Sequence, residues 1–161
     1  MLYASADQRV LGYLGRALSL EFSAVQLYST QARLVATWGL AEPAERLKNE
    51  SREEMEHADR IIARMLSLGV APSASQLRPV RLGNSLLELL QHDLAFENEL
   101  ITLYSDATRH CARIGDHDGR LFFETLREEE RSHGRELGQW IEGLQQAGQP
   151  GPRTTPRGAI F

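Results

Sequence analysis

The chain has 161 residues and a formal net charge of −4, with 42% hydrophobic and 25% charged residues. That length suits one domain with a substantial core, and the interleaved charges leave no basic stripe of the kind that binds nucleic acid. We find neither a signal-peptide pattern at the N-terminus nor an apolar run long enough for a membrane span. The single cysteine, Cys111, lies among apolar positions, as a buried thiol does in a reducing compartment. We therefore expect a cytoplasmic protein.

Apolar residues recur at three- and four-residue intervals in four stretches, which predicts four amphipathic helices. These stretches cover about residues 7–37, 42–68, 85–114 and 116–146. Gly39 ends the first, Pro43 suits the first turn of the second, and Asn84 is the expected N-cap of the third. Residues 70–83 show no helical period but are long enough to run the length of a bundle. The sequence thus predicts an all-α four-helix bundle with one long crossover between parallel second and third helices.

Two of these helices carry the same Glu-x-x-His pattern. Glu54 and His57 lie in the second helix, and Glu130 and His133 lie in the fourth. Residues three positions apart stand about one turn from each other on one face of a helix, so such a carboxylate and imidazole can bind one metal ion. A single copy is weak evidence because the pattern occurs by chance in many helices. Two copies favour a metal site.

The other two helices each place a glutamate on an apolar face. Glu21 lies between Leu18 and Val25, and Glu97 has the corresponding position in the third helix. A carboxylate on a core face is costly unless it is paired, protonated or bound to metal. Each of these glutamates precedes the glutamate of the next Glu-x-x-His pattern by 33 positions. The two halves therefore represent one helix hairpin used twice, and an approximate two-fold axis would bring all six ligands together at mid-bundle.

Four carboxylates and two imidazoles around one cavity favour iron or manganese over zinc, which prefers thiolates or more histidines. Two divalent ions would balance the four negative charges. The remaining glutamates and histidines lie outside the apolar faces. We expect them at the surface or at helix ends: Glu50, Glu53, Glu56, Glu128, Glu129, Glu136, His92, His110 and His117.

Over about residues 7–146 the sequence resembles the bacterioferritins, the haem-containing ferritins of bacteria. The matching pieces are Leu18-Glu21-Gln26-Tyr28, Trp38-Gly39-Leu40, Glu50-Ser51, Glu54-Met55-x-His57-Ala58-Asp59-Arg60, Asp93-Leu94-Ala95-x-Glu97 and Leu126-Arg127-x-Glu129-Glu130-x-x-His133. The resemblance implies a ferritin-like bundle with one glutamate from each of two helices and a Glu-x-x-His pair from each of the others around a di-iron site. It also implies ferroxidase activity, the oxidation of Fe(II) to Fe(III), and storage of the product as a ferric mineral.

The resemblance assigns the six ligands to two iron ions. The terminal ligands are Glu21 and His57 of one iron and Glu97 and His133 of the other, and the bridging ligands are Glu54 and Glu130. Tyr28 matches a tyrosine that lies near the iron centre in the family, and it is the expected source of a further electron.

Met55 follows Glu54 directly, so it points about 100° away from the ligand face. An outward methionine usually packs on a partner. The resemblance implies instead that its sulfur binds the iron of haem b on the two-fold axis between subunits, with one thioether from each. It further implies homodimers that assemble into a 24-subunit shell, and haem-assisted release of iron with electrons from a ferredoxin.

Residues 147–161 are rich in proline and glycine, so we expect a flexible C-terminal tail after a bundle domain at residues 1–146. Members of the family usually have a short fifth helix there that lines the four-fold pores. Asn49 is a second departure, since some members have a histidine at this position that binds iron on the inner surface.

Three other functions fit the same residues. A di-iron oxidase or peroxidase of the rubrerythrin type would form no shell and would behave as a monomer or dimer. A subunit that supplies haem or structure to a mixed shell would lack ferroxidase activity when pure. A cargo enzyme would use its tail to enter a container protein, and deletion of the tail would abolish their co-purification.

Overall fold

A computed structural model of the protein describes residues 6–73 and 76–148, and this part of the chain contains four α-helices and no strand. The helices are α1 (Gln8–Thr37), α2 (Ala41–Ser67), α3 (Leu86–Ile114) and α4 (His117–Ala147). The four predicted helices are therefore confirmed, with bounds that differ from the expected ones by about one residue. No helix among the described residues is both long and apolar enough to cross a membrane.

Side-chain caps fix the starts of three helices. The carboxylate of Asp7 accepts a hydrogen bond from the backbone N–H of Val10 at the start of α1, and Asp116 caps α4 in the same way. The prediction that Asn84 caps α3 is wrong by one residue. Ser85 is the cap, and its hydroxyl accepts from the N–H of Glu88 at 3.2 Å. The Glu88 carboxylate accepts in turn from the N–H of Asn84 at 2.9 Å, a variant of the reciprocal capping box.

The four helices form two hairpins. Trp38, Gly39 and Leu40 join α1 to α2, and Gly115 and Asp116 join α3 to α4. Both glycines have φ angles in the left-handed region, 78° at Gly39 and 74° at Gly115, where a Cβ atom would be strained. Each hairpin therefore turns within two or three residues, which makes its helices antiparallel.

Contacts between α1 and α3 show how the hairpins combine. Asp7 near the start of α1 meets His110 near the end of α3, while Gln31 near the end of α1 meets Asp93. The order of contacts is reversed along the two helices, so α1 and α3 are antiparallel and α2 and α3 are parallel. The long crossover is confirmed, because the connection after α2 must return along the bundle.

The crossover follows the surface of α1. The backbone N–H groups of Gln76 and Arg78 donate to the hydroxyls of Ser19 and Ser23 at 3.1 and 3.0 Å. Arg78 also forms a salt bridge with Glu99 of α3 at 2.6 Å. These contacts hold a long connection that has no helical or strand structure among its described residues.

The core lies between the inward faces of the four helices. Leu14, Leu47, Leu90 and Leu100 have no exposed surface, and Cys111 is buried as expected. Burial of such side chains stabilises the fold by about 1.5–3 kcal/mol each. His110 lies near the end of α3, as one of the two expected positions, but it is buried and not exposed. It is 5% exposed, and its Nε2 atom lies 2.9 Å from the carboxylate of Asp7.

Candidate metal centre

Each helix places one glutamate in the middle of the bundle. The four carboxylates belong to Glu21, Glu54, Glu97 and Glu130, and all four have no exposed surface. The apolar stripes on either side of each glutamate force this burial, since those stripes form the core. Four carboxylates without solvent repel one another, so the site requires protons or cations for stability.

The two Glu-x-x-His histidines face this acidic group. The Nδ1 atom of His57 lies 2.7 Å from Glu130 Oε1 and 3.2 Å from Glu54 Oε2. It is also 3.5 Å from Glu21 Oε1. The Nδ1 atom of His133 lies 3.2 Å from Glu54 Oε1 and 3.5 Å from Glu130 Oε2. The imidazole rings are 5.7 Å apart and nearly parallel.

The six side chains form two overlapping sets of ligand atoms, each with its atoms within 4.8 Å of one another. One set is Glu21, Glu54, His57 and Glu130, and the other is Glu54, Glu97, Glu130 and His133. Glu54 and Glu130 belong to both. The geometry therefore has two positions for a cation, with two carboxylates between them.

The electrostatics reflect crowded charges. Burial raises the pKa of Glu21, Glu54 and Glu97, and neighbouring carboxylates raise it further. Burial alone would also raise the pKa of Glu130. Hydrogen bonds with Glu97 and the two histidines outweigh this and hold the Glu130 pKa well below its usual range.

The histidines carry the compensating protons. Burial would lower the pKa of His57, but hydrogen bonds to Glu130, Glu21 and Glu54 raise it to about 12. Burial opposes protonation of His133 too, and its contacts with Glu130 and other carboxylates raise its pKa to about 10. The metal-free centre at neutral pH thus contains two imidazolium groups beside one firmly ionised carboxylate.

Two glutamates expected at the surface contact the outer nitrogens of these rings. Glu53 Oε2 lies 2.5 Å from His133 Nε2, and Glu129 Oε2 lies 3.4 Å from His57 Nε2. Glu129 also forms a salt bridge with Arg60. The side chains of Glu53 and Glu129 are about half exposed, which agrees with the expected surface position. Each one also contacts a histidine of the centre. The repeated Glu immediately before each Glu-x-x-His pattern could have identified them.

Two buried tyrosines contact the carboxylates from the other side. The Tyr28 hydroxyl donates to Glu97 Oε1 at 2.6 Å, and the Tyr104 hydroxyl donates to Glu21 Oε1. The family resemblance places Tyr28 near the iron centre and assigns no role to Tyr104. Each tyrosine follows a ligand glutamate by seven positions in both halves, and this repeat could have revealed Tyr104.

One turn from Tyr28, a second polar pair crosses the α1–α3 interface. The Gln31 amide donates to Asp93 Oδ1 at 2.6 Å, and neither residue has exposed surface. Burial raises the pKa of Asp93 to about 8, although the hydrogen bond from Gln31 opposes this change. Sequence reasoning did not identify this pair as buried.

Met55 lies on the opposite side of α2 from the ligand face. Its side chain is 45% exposed, next to the fully buried Glu54. The outward direction expected from the helical period is therefore what the fold produces. An exposed thioether on a long helix is available for contact with another subunit or a cofactor.

Comparisons with known proteins agree with this architecture. The family model described as a ferritin-like domain matches residues 11–147. Bacterioferritin of Rhodobacter capsulatus is 41% identical over 127 residues, which is 79% of each chain. Bacterioferritin of Brucella melitensis is 32% identical over 127 residues, again 79% of each chain.

A solved structure of Rhodobacter capsulatus bacterioferritin superposes with a TM-score of 0.86 at 35% identity. The match covers 94% of this chain and 99% of that one. That structure is described as having a metal-free dinuclear site and haem iron in a crystallographic special position. The family model covers the helices that carry all six side chains of the candidate centre. The chain therefore belongs to the bacterioferritin family of ferritin-like proteins, the iron-storage proteins with ferroxidase activity.

Proposed function

We propose that the six buried ligands hold two Fe(II) ions and that the protein oxidises them to Fe(III) at this centre before storage. The observation that carries this proposal is the overlap of two ligand sets in Glu54 and Glu130. A carboxylate that belongs to two sets can bridge two cations. The terminal ligands are then Glu21 with His57 and Glu97 with His133, as the family resemblance implies.

The donor set fits iron on chemical grounds. Carboxylates are hard oxygen donors that favour the oxidised ion, and imidazoles suit iron as well. Two buried carboxylate oxygens, Oε2 of Glu21 and Oε2 of Glu97, have no hydrogen-bond partner among the described residues. Two divalent ions would satisfy these oxygens and neutralise the four carboxylates. Each Fe(II) gives one electron to dioxygen or peroxide.

The protein's own groups orient the ligands. Glu53 and Glu129 contact the Nε2 atoms of His133 and His57, which keeps Nδ1 of each ring directed at the centre. Both imidazoles must lose a proton before they bind an ion. These protons leave the centre when the ions bind, because the neighbouring carboxylates are needed as ligands.

Tyr28 is the proposed source of a further electron. Its hydroxyl is fully buried and donates to Glu97 Oε1 at 2.6 Å. Reduction of dioxygen to water takes four electrons and two Fe(II) ions give two, so the Tyr28 phenol would supply a third, with its proton passing along this hydrogen bond toward Glu97. The short hydrogen bond from Tyr28 to Glu97 supports loss of the electron and the proton in one step.

Met55 is the proposed axial ligand of haem b between two subunits. Its thioether is exposed on the outer face of α2, one residue from a ligand of the metal centre. The related bacterioferritin has its haem iron in a crystallographic special position. An atom in such a position lies on a symmetry element, so symmetry-related copies share it. One Met55 from each of two copies would supply both axial ligands.

The proposed assembly is a homo-oligomeric shell, with 24 subunits by family resemblance. Apolar side chains near the end of α2 and in the crossover support contacts between subunits, since Leu66, Leu77 and Leu82 are more than half exposed. A ferredoxin as electron donor for iron release and a cytoplasmic location remain predictions. The proposed tail, residues 147–161, lies almost wholly outside the described residues, although α4 includes Ala147.

Anaerobic titration with Fe(II), followed by oxygen, tests the ferroxidase proposal. About two irons per subunit should oxidise rapidly, and Glu54→Ala should abolish this phase because it removes a bridge from both positions. Glu56→Ala is the matched control, since Glu56 is exposed on the same helix. A slow, uncatalysed trace in the unmodified protein would reject the proposal.

Two further measurements address the assembly and the haem. Elution near the mass of a monomer or dimer would favour a rubrerythrin-type oxidase, and a large shell without activity would favour a subunit of a mixed assembly. A haem Soret band that Met55→Leu removes would support the axial ligand. A band that survives this change would assign the haem to other residues.

A further inference from the structure

Tyr28 and Tyr104 occupy equivalent places in the two halves of the chain. A shift of 76 positions converts Tyr28 into Tyr104, and the same shift converts Glu21 into Glu97. Each tyrosine donates to the glutamate of the opposite half, Tyr28 to Glu97 and Tyr104 to Glu21. The pairing is therefore reciprocal across the approximate two-fold axis.

Both hydroxyls select one oxygen of their partner carboxylate. Each tyrosine contacts Oε1, while Oε2 of the same glutamate is buried without a hydrogen-bond partner among the described residues. The tyrosines have no exposed surface, so water cannot replace their hydroxyls. A carboxylate whose Oε1 is held by a buried hydroxyl cannot rotate freely, so the directions in which its oxygens face a cation are fixed.

Resting on the proposed function of this centre, we propose that Tyr104 is a positioning residue that holds Oε1 of Glu21 and thereby fixes the orientation of this carboxylate toward its metal position. Its action matches that of Tyr28 on Glu97, so both metal positions have the same kind of terminal carboxylate. Without the Tyr104 hydroxyl, Glu21 can turn away from the orientation in which it binds its ion. Only the position bound by Glu21 would change, and the two positions would become unequal.

Anaerobic titration of the metal-free protein with Co(II) tests this inference, because visible absorption of Co(II) reports its coordination. The variants are Tyr104→Phe and Tyr28→Phe, with Tyr13→Phe as matched control. Tyr13 is a buried tyrosine that packs on the same Phe123 as Tyr104. Removal of an outer ligand partner typically costs about 10–100-fold in metal affinity. We expect Tyr104→Phe to weaken one of two Co(II) ions by about ten-fold or more and to change its spectrum.

A double-mutant comparison separates positioning from general damage. In a Glu21→Ala background, Tyr104→Phe should have no further effect on Co(II) binding, since the carboxylate that it holds is gone. An unchanged isotherm and spectrum in Tyr104→Phe alone would overturn the inference. An equal effect of Tyr104→Phe with and without Glu21 would also overturn it.

Near-ultraviolet difference spectra with Zn(II) provide a second test that uses a redox-silent ion. Two tyrosine hydroxyls bound to ligand carboxylates should give a tyrosine difference band when Zn(II) binds. Tyr28→Phe should remove about half of this difference band and leave the half that is due to Tyr104. This test does not require that Tyr104→Phe folds. A band that vanishes completely in Tyr28→Phe would overturn the inference.

The proposed function and this inference fail differently. If the unmodified protein binds no Co(II) or Zn(II) at the centre, the two-metal site itself is wrong and the role of Tyr104 falls with it. If two ions bind and Glu54→Ala prevents this, but Tyr104→Phe binds them as the unmodified protein does, only the role of Tyr104 is rejected.

Discussion

Two Zn(II) ions that bind the metal-free protein at pH 7 are expected to release at least about two protons per subunit. These two protons come from the histidines. With pKa values of about 12 for His57 and about 10 for His133, both rings are protonated at pH 7 and must lose a proton to bind metal. Burial also raises the pKa of Glu21, Glu54 and Glu97, so any proton that these carboxylates hold would add to this number.

Isothermal titration calorimetry in buffers of different ionisation enthalpy measures this number directly. The slope of the observed enthalpy against the buffer ionisation enthalpy is the number of protons released. Affinity should also rise with pH, because fewer protons then compete with the ions. Zn(II) is the suitable probe because it undergoes no redox reaction.

Two variants make the measurement specific to the centre. His133→Gln should lower the number of released protons by about one, because it removes one imidazolium. Glu56→Gln should leave the number unchanged, since Glu56 is exposed and outside both ligand sets. Release of fewer than about one proton per subunit would contradict this prediction, because it would mean that the imidazoles are neutral before metal binds.

Two further predictions concern the stability of the metal-free protein. Asp93 binds its proton in the native state up to a pKa of about 8, against a usual value of 3.8. Because the native state alone holds this proton between these values, the unfolding free energy falls by up to about 1.4 kcal/mol per pH unit as pH rises. Asp93→Asn should not show this fall. The unfolding free energies of variant and parent, measured by urea denaturation, should therefore diverge from pH 4 to 8. If the two free energies change with pH in parallel, Asp93 does not hold a proton in the native state over this range. Gly115→Ala should destabilise the protein by about 1–2 kcal/mol, because the backbone φ angle at Gly115 is 74°. Gly12 lies inside α1 with open space for a Cβ atom, so Gly12→Ala should stabilise the protein by about 0.5–1 kcal/mol. Thermal unfolding measures both, and a loss of similar size at both glycines would show that φ is not the cause.

The four helices, their turns and the six side chains that meet in the core follow from patterns in the amino-acid sequence. Helical periodicity specifies which residues share a face, so it identified Glu21 and Glu97 as buried charges before any tertiary contact was known. The Glu-x-x-His spacing placed a carboxylate and an imidazole on one face in the same way. Gly39 and Gly115 fixed where the hairpins turn, and the length of the crossover fixed that α2 and α3 are parallel.

The contacts between groups on different helices depend on how the helices pack against one another. Seven residues advance a helix by about 10 Å, so Tyr28 cannot reach Glu21 on its own helix. It meets Glu97 because antiparallel packing of α1 and α3 brings those two levels together, and the same offset joins Tyr104 to Glu21. The contacts of Glu53 and Glu129 with the imidazoles likewise depend on the spacing of α2 and α4. A pattern within one helix contains no information about the offset of its neighbour, because side-chain packing along the whole interface sets that offset.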